Sequence, residues 1–437
     1  MHEHYANHLA LRLDQWRQAS QRSGYAGVVI FAGKQQLWFR DDQGYPFKVN
    51  PYFAGLVPLL NHPNCCITID AADTKPQLLY WQTEDFWHQP PTDPTGDWVD
   101  HFDVVVVSNE AAIQQALPAD REHWVAIDPA GSADSRFAAT NPETILTAID
   151  FQRAVKTDYE LACMREASRI GVNGHRASRA AFLSGASEFD IHQIYCQASG
   201  QTQDQLPYAN IVALAPHGAI LHYQYQSRSV DAAPALLLDA GGQYLGYCAD
   251  ITRTWSTDAD FEALIDAVDA LQQRICAEVR DGYEFPKLHA FAHQQLARLM
   301  ADADILAASA DEALAKGITS TFLPHGLGHL LGLQVHDPGG HCADIDGTPL
   351  PPPDAHPWLR LTRPLQTGMI VTIEPGIYFI DSLLAPLRAG PSAKLINWRR
   401  VDQLAPLGGI RVEDNIHITG RGHENLTRDA FAAIDGR

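Results

Sequence analysis

A chain of 437 residues is long enough for two domains with well-buried cores. Its 52 acidic against 32 basic side chains leave a formal charge of −20, which repels nucleic acid and anionic membrane surfaces, so neither is expected as a partner. No apolar run approaches the length of a membrane helix, the N-terminal "MHEHYANHLALRLDQWRQAS" lacks a basic leader followed by an apolar stretch, and the seven cysteines are scattered without a C-x-x-C spacing, so a reduced cytoplasmic protein is expected.

The first third alternates β-branched runs with helical patterns. "AGVVIFAG" (26–33), "CCITID" (65–70), "QLLYW" (77–81), "DVVVVS" (103–108) and "HWVAID" (123–128) read as strands, and "NEAAIQQAL" (109–117) reads as a helix between two of them. This predicts an α/β N-terminal domain over residues 1–155. The texture then changes. Thr157 followed three residues on by Glu160 is a capping-box signature, predicting a helix to about Gly185, with a second over "SEFDIHQIYCQASG" and a strongly periodic third over 258–282. Mixed with antiparallel strand signals, these make residues 156–437 a second domain of α+β type. "DGTPLPPPDAHP" (346–357) reads as a proline-rich surface loop.

Chemistry-bearing residues occur in four segments of the second domain. "LLLDAGGQYLGYCADITRTW" (236–255) reads as a hairpin about a turn centred on Tyr244 and Leu245, which would set Asp239 and Asp250 opposite each other with Cβ atoms about 5 Å apart. Two facing anions in apolar strands repel unless a cation lies between them, whereas two turn-flanking aspartates are the ordinary alternative. "PHGLGHLLGLQVHD" (324–337) holds three histidines, His325, His329 and His336, in an apolar setting. "MIVTIEPGIYF" (369–379) ends a buried-looking strand on Glu374. "GGIRVEDNIHITG" (408–420) reads as one strand whose polar face carries Arg411, Glu413, Asn415 and His417. Each segment alone is ambiguous. Together, Asp, Asp, His, Glu and Glu in this order make an oxygen-rich ligand set suited to two catalytic divalent ions, most readily Mn²⁺, with Co²⁺ or Zn²⁺ as alternatives.

These segments, with "DDQGYPFKVNPYF" (41–53) and "LPYANIVALAPHGAILHYQ" (206–224), resemble the pita-bread metallopeptidases, and within them the bacterial Xaa-Pro dipeptidases. The resemblance implies a creatinase/methionine aminopeptidase-like catalytic domain behind the N-terminal α/β domain, with metal ligands Asp239, Asp250, His329, Glu374 and Glu413. It implies that His325 and His336 contact substrate or the tetrahedral intermediate, and that Tyr208 and His222 line the pocket. Arg360 matches the family's clamp for the free carboxylate of proline, a role for which the planar guanidinium is suited, and Arg411 on the same face as Glu413 is a second candidate. Phe285 falls where related enzymes place a tyrosine, which would remove a hydroxyl from the substrate wall.

The expected reaction is hydrolysis of Xaa-Pro dipeptides by a hydroxide bridging two metals, with Glu374 passing the proton to the proline nitrogen and His336 facing the oxyanion. A proline-directed site is chemically reasonable because the Xaa-Pro bond lacks the N–H through which general peptidases dock substrates. The resemblance also implies a homodimer in which Asp42 and Trp87 of the N-terminal domain contribute to the active-site wall. Alternatives are an aminopeptidase P acting on longer peptides, an organophosphate-hydrolysing side activity, a metal-free creatinase-like enzyme and a non-catalytic binding protein on the same fold.

Overall fold

A computed structural model describes residues 2–72, 74–131, 133–229 and 233–436 of the protein. The chain forms two compact units. One comprises Met1–Arg153, Thr157–Ala162 and Asp344–Thr348, and the other Ala154–Lys156, Cys163–Ala343 and Pro349–Arg437.

In the first unit, α1 (His2–Arg22), α2 (Pro51–Ala54), α3 (Glu110–Ala116) and α4 (Glu143–Arg153) accompany a six-stranded mixed sheet. Its strands are β1 (Gly27–Phe31), β2 (Cys66–Asp70), β3 (Gln77–Trp81), β4 (Asp103–Val107), β5 (Trp124–Ile127) and β6 (Ala139–Thr140), in the spatial order β4-β3-β2-β1-β5-β6. Central β1 runs antiparallel to β2 and parallel to β5. Val28, Val29 and Ile30 are all fully buried, as expected of a β-branched run with both faces covered. The five strands read from the sequence are present. The sixth has only two residues, too few for alternation to register. The Asn109 side chain accepts from the Ala112 N–H and caps α3.

The capping box at Thr157 forms as well. The Thr157 N–H donates to Glu160 Oε2 at 2.8 Å, and the Glu160 N–H donates to Thr157 Oγ1 at 3.4 Å, opening α5 (Asp158–Leu183). The buried guanidinium of Arg12 pairs with the same Glu160 carboxylate.

The second unit continues with α6 (Glu188–Ser199), capped by Ser187, then α7 (Ala259–Glu278), capped by Asp258, and α8 (Phe285–Asp302). Its strands form small sheets. β7 (Ile211–Leu214) and β11 (Thr252–Ser256) flank β8 (Ala235–Asp239), and β9 (Gln243–Tyr244) pairs with β10 (Tyr247–Cys248). β12 (Ile370–Ile373) pairs with β15 (Asp414–Thr419), which also pairs with β16 (Gly422–Asn425), while β13 (Gly376–Tyr378) pairs with β14 (Gly409–Arg411). Apolar faces of α7 and α8 pack into the main core with Leu237, Val371, Ile377 and Ile416 from these strands.

Two expectations are corrected here. The 408–420 segment is not one strand. It breaks after Arg411, so that β14 pairs with β13 while β15 pairs with β12. Asp414, the polar residue on the otherwise apolar face, is fully buried and held by Arg253 and Arg428. Phe285 does not belong to a substrate wall. It is fully buried at the start of α8 as part of the main core, where a hydroxyl would need a partner. Replacing Phe285 by alanine is expected to cost about 3–5 kcal/mol through lost burial and the cavity left behind, read as a lowered melting transition of the second unit.

Candidate metal centre

The β8–β11 hairpin determines how the first two acids meet. Its register pairs Asp239 with Thr252, and within the turn it pairs Tyr244 with Tyr247. The hairpin therefore centres between Leu245 and Gly246, and Asp239 and Asp250 are offset along it rather than directly opposite. Leu245 has a φ of 49° and Gly246 one of 88°, a left-handed pair that moves the turn off the centre expected from symmetry. Tyr208 bridges the offset, its hydroxyl lying 2.7 Å from Asp239 Oδ1 and 2.6 Å from Asp250 Oδ1. One hydroxyl carries one hydrogen, so both contacts are favourable only if one carboxyl is protonated or a cation neutralises the pair.

The remaining acids arrive from the other sheets. Glu374 follows β12, and its N–H donates to Leu327 O at 2.9 Å. Glu413 lies in the break between β14 and β15. Its N–H donates to Thr252 O, and Thr252 Oγ1 donates to Glu413 Oε2 at 2.7 Å. Asn415 clamps Asp250, accepting from its N–H and donating to its C=O.

His329 is brought in by backbone packing along β12, with the Thr372 N–H donating to His329 O at 2.9 Å. The chain comes so close that a Cβ on Gly328 would lie 2.0 Å from Thr372 O, so only glycine fits beside this histidine. His329 Nδ1 is 3.0 Å from Leu330 O, a contact that requires an Nδ1–H donor and leaves the Nε2 lone pair facing the acids. Nε2 lies 3.5 Å from Asp250 Oδ2 and 3.7 Å from Glu374 Oε1. Donor atoms of Asp250, His329 and Glu413 all fall within 4.8 Å of one another.

Electrostatics mark the cluster as short of positive charge. Burial, opposed by His329 and Arg411 and reinforced by Asp250 and Asp239, pushes the Glu374 carboxyl up to about 7. Burial and the three other carboxylates push Glu413 well above the ordinary range, and burial likewise raises Asp239. Burial works against ionised Asp250 and protonated His329, but their mutual contact outweighs it in both, lowering the acid and raising the imidazole. Four carboxylates gathered around one guanidinium, that of Arg411, need further cations, and their oxygen-rich donor set fits hard or borderline divalent ions.

These residues line a cavity of about 570 Å³, a volume suited to a small peptide. His222, His325, His336, Arg360 and Arg411 line it too. His325 bonds through its ring nitrogens with Gly326 O at 2.8 Å and the Tyr378 hydroxyl at 2.9 Å, and burial pushes its pKa down to about 3, so it is a neutral imidazole. His336 packs edge-on against the His329 ring, and desolvation, reinforced by His329 and Arg360, lowers it to about 4. Arg411 is fully engaged within the protein, donating to Asp239 Oδ2, Tyr378 Oη and Thr252 Oγ1. Arg360 is exposed at the cavity rim, and its guanidinium makes no hydrogen bond or ion pair among the described residues. Of the two arginines expected to present a free fork, only Arg360 does so. Asp42 and Trp87 belong to the first unit, where both are exposed, the Trp87 ring tilted at 37° against that of Phe86. Neither lines this cavity.

Three supporting residues escape motif reading. Tyr378 binds both His325 and Arg411, Thr252 holds Glu413, and Trp358 stands 71% exposed at the cavity wall. Thr252 was accessible in principle, lying two residues beyond Asp250. Tyr378 carries no local signal, because the β13–β14 pairing is what turns it toward Arg411.

A family model described as metallopeptidase family M24 matches residues 162–420, and one described as the Xaa-Pro dipeptidase N-terminal domain matches residues 3–151. The chain belongs to metallopeptidase family M24. Curated relatives of this M24 chain include proteins named Xaa-Pro dipeptidase from Xanthomonas campestris pv. campestris strain B100, 45% identical over 432 residues, and from Aeromonas hydrophila subsp. hydrophila, 44% identical over 434 residues. In each case the match covers 98% of both chains. Among solved structures, proline aminopeptidase P II from Yersinia pestis superposes with a TM-score of 0.73 at 21% identity over 100% of both chains. The low-pH form of E. coli aminopeptidase P superposes with a TM-score of 0.74 at 22% identity, covering 98% of this chain and 96% of that one. The catalytic domain of this M24 chain therefore has the pita-bread fold.

Proposed function

We propose that this M24 enzyme hydrolyses Xaa-Pro dipeptides to an amino acid and proline in a metal-dependent reaction. The observation that carries the reading is the cluster of Asp239, Asp250, His329, Glu374 and Glu413 at the base of a peptide-sized cavity, in a chain 41–45% identical to proteins named Xaa-Pro dipeptidase. We assign these five residues as metal ligands, with two divalent ions per subunit, Mn²⁺ foremost because four of the five donors are carboxylates. When bound, the metals polarise the scissile carbonyl and generate a nucleophile at neutral pH.

The chain's own residues do the rest. Glu374, 3.7 Å from His329 Nε2, transfers a proton to the proline nitrogen as the bond breaks. His336 and neutral His325 face the carbonyl oxygen as charge develops, His325 kept in register by Tyr378. Tyr208 and Arg411 orient Asp239, while His222 closes the cavity rim.

Substrate length is read by Arg360. Its uncommitted guanidinium at the rim suits the carboxylate of a C-terminal proline, as a dipeptidase requires and an aminopeptidase does not. Arg360→Ala is expected to raise KM for Xaa-Pro dipeptides about 10- to 150-fold, from a charge-assisted contact of about 1.5–3 kcal/mol, with metal content unchanged. A kinetic panel of dipeptides, C-terminally amidated dipeptides and tripeptides checks this. Wild-type cleavage of Xaa-Pro tripeptides as fast as dipeptides would remove both the clamp and the dipeptidase reading.

We assign residues 1–155 to dimerisation, with Asp42 and Trp87 contributing to the partner's active-site wall. Trp38, Phe39, Tyr45, Phe86 and Trp87 are exposed on the first unit and supply aromatic surface that a partner could cover. A dimer mass in light scattering is expected, with Trp87→Ala weakening it. A fully active monomer at micromolar concentration would overturn this. All seven cysteines are free and no helix among the described residues is long and apolar enough to cross a membrane, features that support a cytoplasmic setting.

A further inference from the structure

Away from the carboxylate cluster, three imidazoles converge. His289 and His293 are four residues apart on α8 and so project from one face of the helix, and His356 reaches them from the proline-rich segment. Ring centroids are 4.6 Å apart for His289 and His293, 4.3 Å for His289 and His356, and 4.7 Å for His293 and His356. One nitrogen from each lies within 4.8 Å of the other two.

Hydrogen bonding accounts poorly for this arrangement. His289 Nε2 faces His293 Nε2 at 3.2 Å, a contact that can use only one N–H. The other ring nitrogen of His289, Nδ1, is buried and has no hydrogen-bond partner. Coordination accounts for the spacing better. In a tetrahedral site with metal–nitrogen bonds of about 2.0–2.1 Å, ligand nitrogens stand about 3.3 Å apart. The His289–His293 pair already has nearly that separation, and a His356 nitrogen lies within 4.8 Å of both. His293 Nδ1 lies 2.9 Å from Thr319 Oγ1, a partner that can fix the tautomer leaving Nε2 as ligand. Burial and the neighbouring imidazoles keep His289 down to about 2 and His293 to about 4, so both lone pairs are available at neutral pH.

We propose that His289, His293 and His356 form a second kind of metal site, distinct from the carboxylate cluster and selective for zinc-class divalent ions. Three neutral imidazoles without a carboxylate favour Zn²⁺, Co²⁺ or Ni²⁺ over Mn²⁺ or Mg²⁺, which prefer oxygen donors. Water completes the fourth position on the side of half-buried His356. The Leu359 N–H donates to His356 O, and Trp358, Leu359 and Arg360 line the substrate cavity. An ion on His356 therefore ties this cavity wall to α8.

The test counts metal in a background where the carboxylate cluster is disabled. Asp250→Asn protein and Asp250→Asn/His356→Asn protein, both stripped with chelator, are titrated with Co²⁺ while bound metal and visible absorption are recorded. The single variant is expected to bind one more Co²⁺ per chain than the double variant, with the intense absorption of low-coordinate cobalt. Mn²⁺ should bind there at least tenfold more weakly. Equal Co²⁺ stoichiometry and spectra in the two proteins would overturn the proposal. His293→Ala in place of His356→Asn gives an independent second comparison, and circular dichroism establishes that each variant is folded. Because the readout needs no turnover, it stands apart from the hydrolytic assignment.

Discussion

Asp250→Asn is expected to reduce hydrolysis of Xaa-Pro dipeptides on the order of 10³-fold or more, together with a loss of bound metal from the carboxylate cluster. The substitution is nearly isosteric, and Asn415 holds the backbone of residue 250 from both sides, so the local chain stays in place. What changes is the donor. A carboxylate 3.5 Å from His329 Nε2 becomes a neutral amide, weakening the site for a cation and removing the charge that orients the imidazole. Lewis-acid stabilisation contributes several kcal/mol, and each 1.36 kcal/mol is a decade of rate, which sets the expected size. Chelation of the wild type should give the same phenotype, reversed by Mn²⁺ but not by Mg²⁺ at equal concentration. Elemental analysis beside initial rates checks both. An Asp250→Asn protein that turns over normally without bound metal would refute the metal-dependent reading.

The second large effect concerns stability. Lys156 and Asp337 form an ion pair at 2.8 Å with side chains 2% and 1% exposed. Gly332 packs against both, so that a Cβ there would come within 2.5 Å of Asp337 Oδ2. Two charges this deep repay their desolvation only while both are present. Lys156→Met is therefore expected to destabilise the protein by about 3–5 kcal/mol by removing the buried cation that faces the Asp337 carboxylate. Lys156→Met/Asp337→Asn should recover much of that loss, since it removes the buried negative charge along with the positive one. Chemical denaturation of the four proteins of this cycle measures the coupling. Asp337 adjoins His336, so the single variant should also lower kcat, and the double variant should restore it less fully than it restores stability. An additive cycle would show that the pair contributes no coupling.

What was legible locally proved to be governed by local physics. β-Branched runs gave five strands of the first sheet, because their side chains fit a pleated surface, buried on both faces in β1 and partly open in β4. Thr157 with Glu160 marks a helix start, because a cap satisfies N–H groups within a few residues of itself, and the structure adds Asn109, Ser187 and Asp258 as caps at the starts of three further helices. The acids and the histidine stretch were equally visible as residues that apolar surroundings should not hold without a partner.

Their meeting was not visible. Thr252 reaches Glu413 across 161 residues and Arg411 reaches Asp239 across 172, separations over which no periodicity carries information. The hairpin register depended on two left-handed residues at Leu245 and Gly246, and a symmetric reading misplaced Asp250 by two positions relative to Asp239. The break at Val412–Glu413 let one segment serve two sheets, because β13 and β12 each claim part of it. Arg411 looked available from strand parity, yet packing set Asp239, Tyr378 and Thr252 around its guanidinium and left Arg360 at the rim uncommitted. Residue type and short-range spacing thus determined which groups could bind metal, since ligand chemistry and capping act over a few ångströms. Only the tertiary structure decided which of them share a cavity, since burial and pairing between distant segments place one oxygen against another.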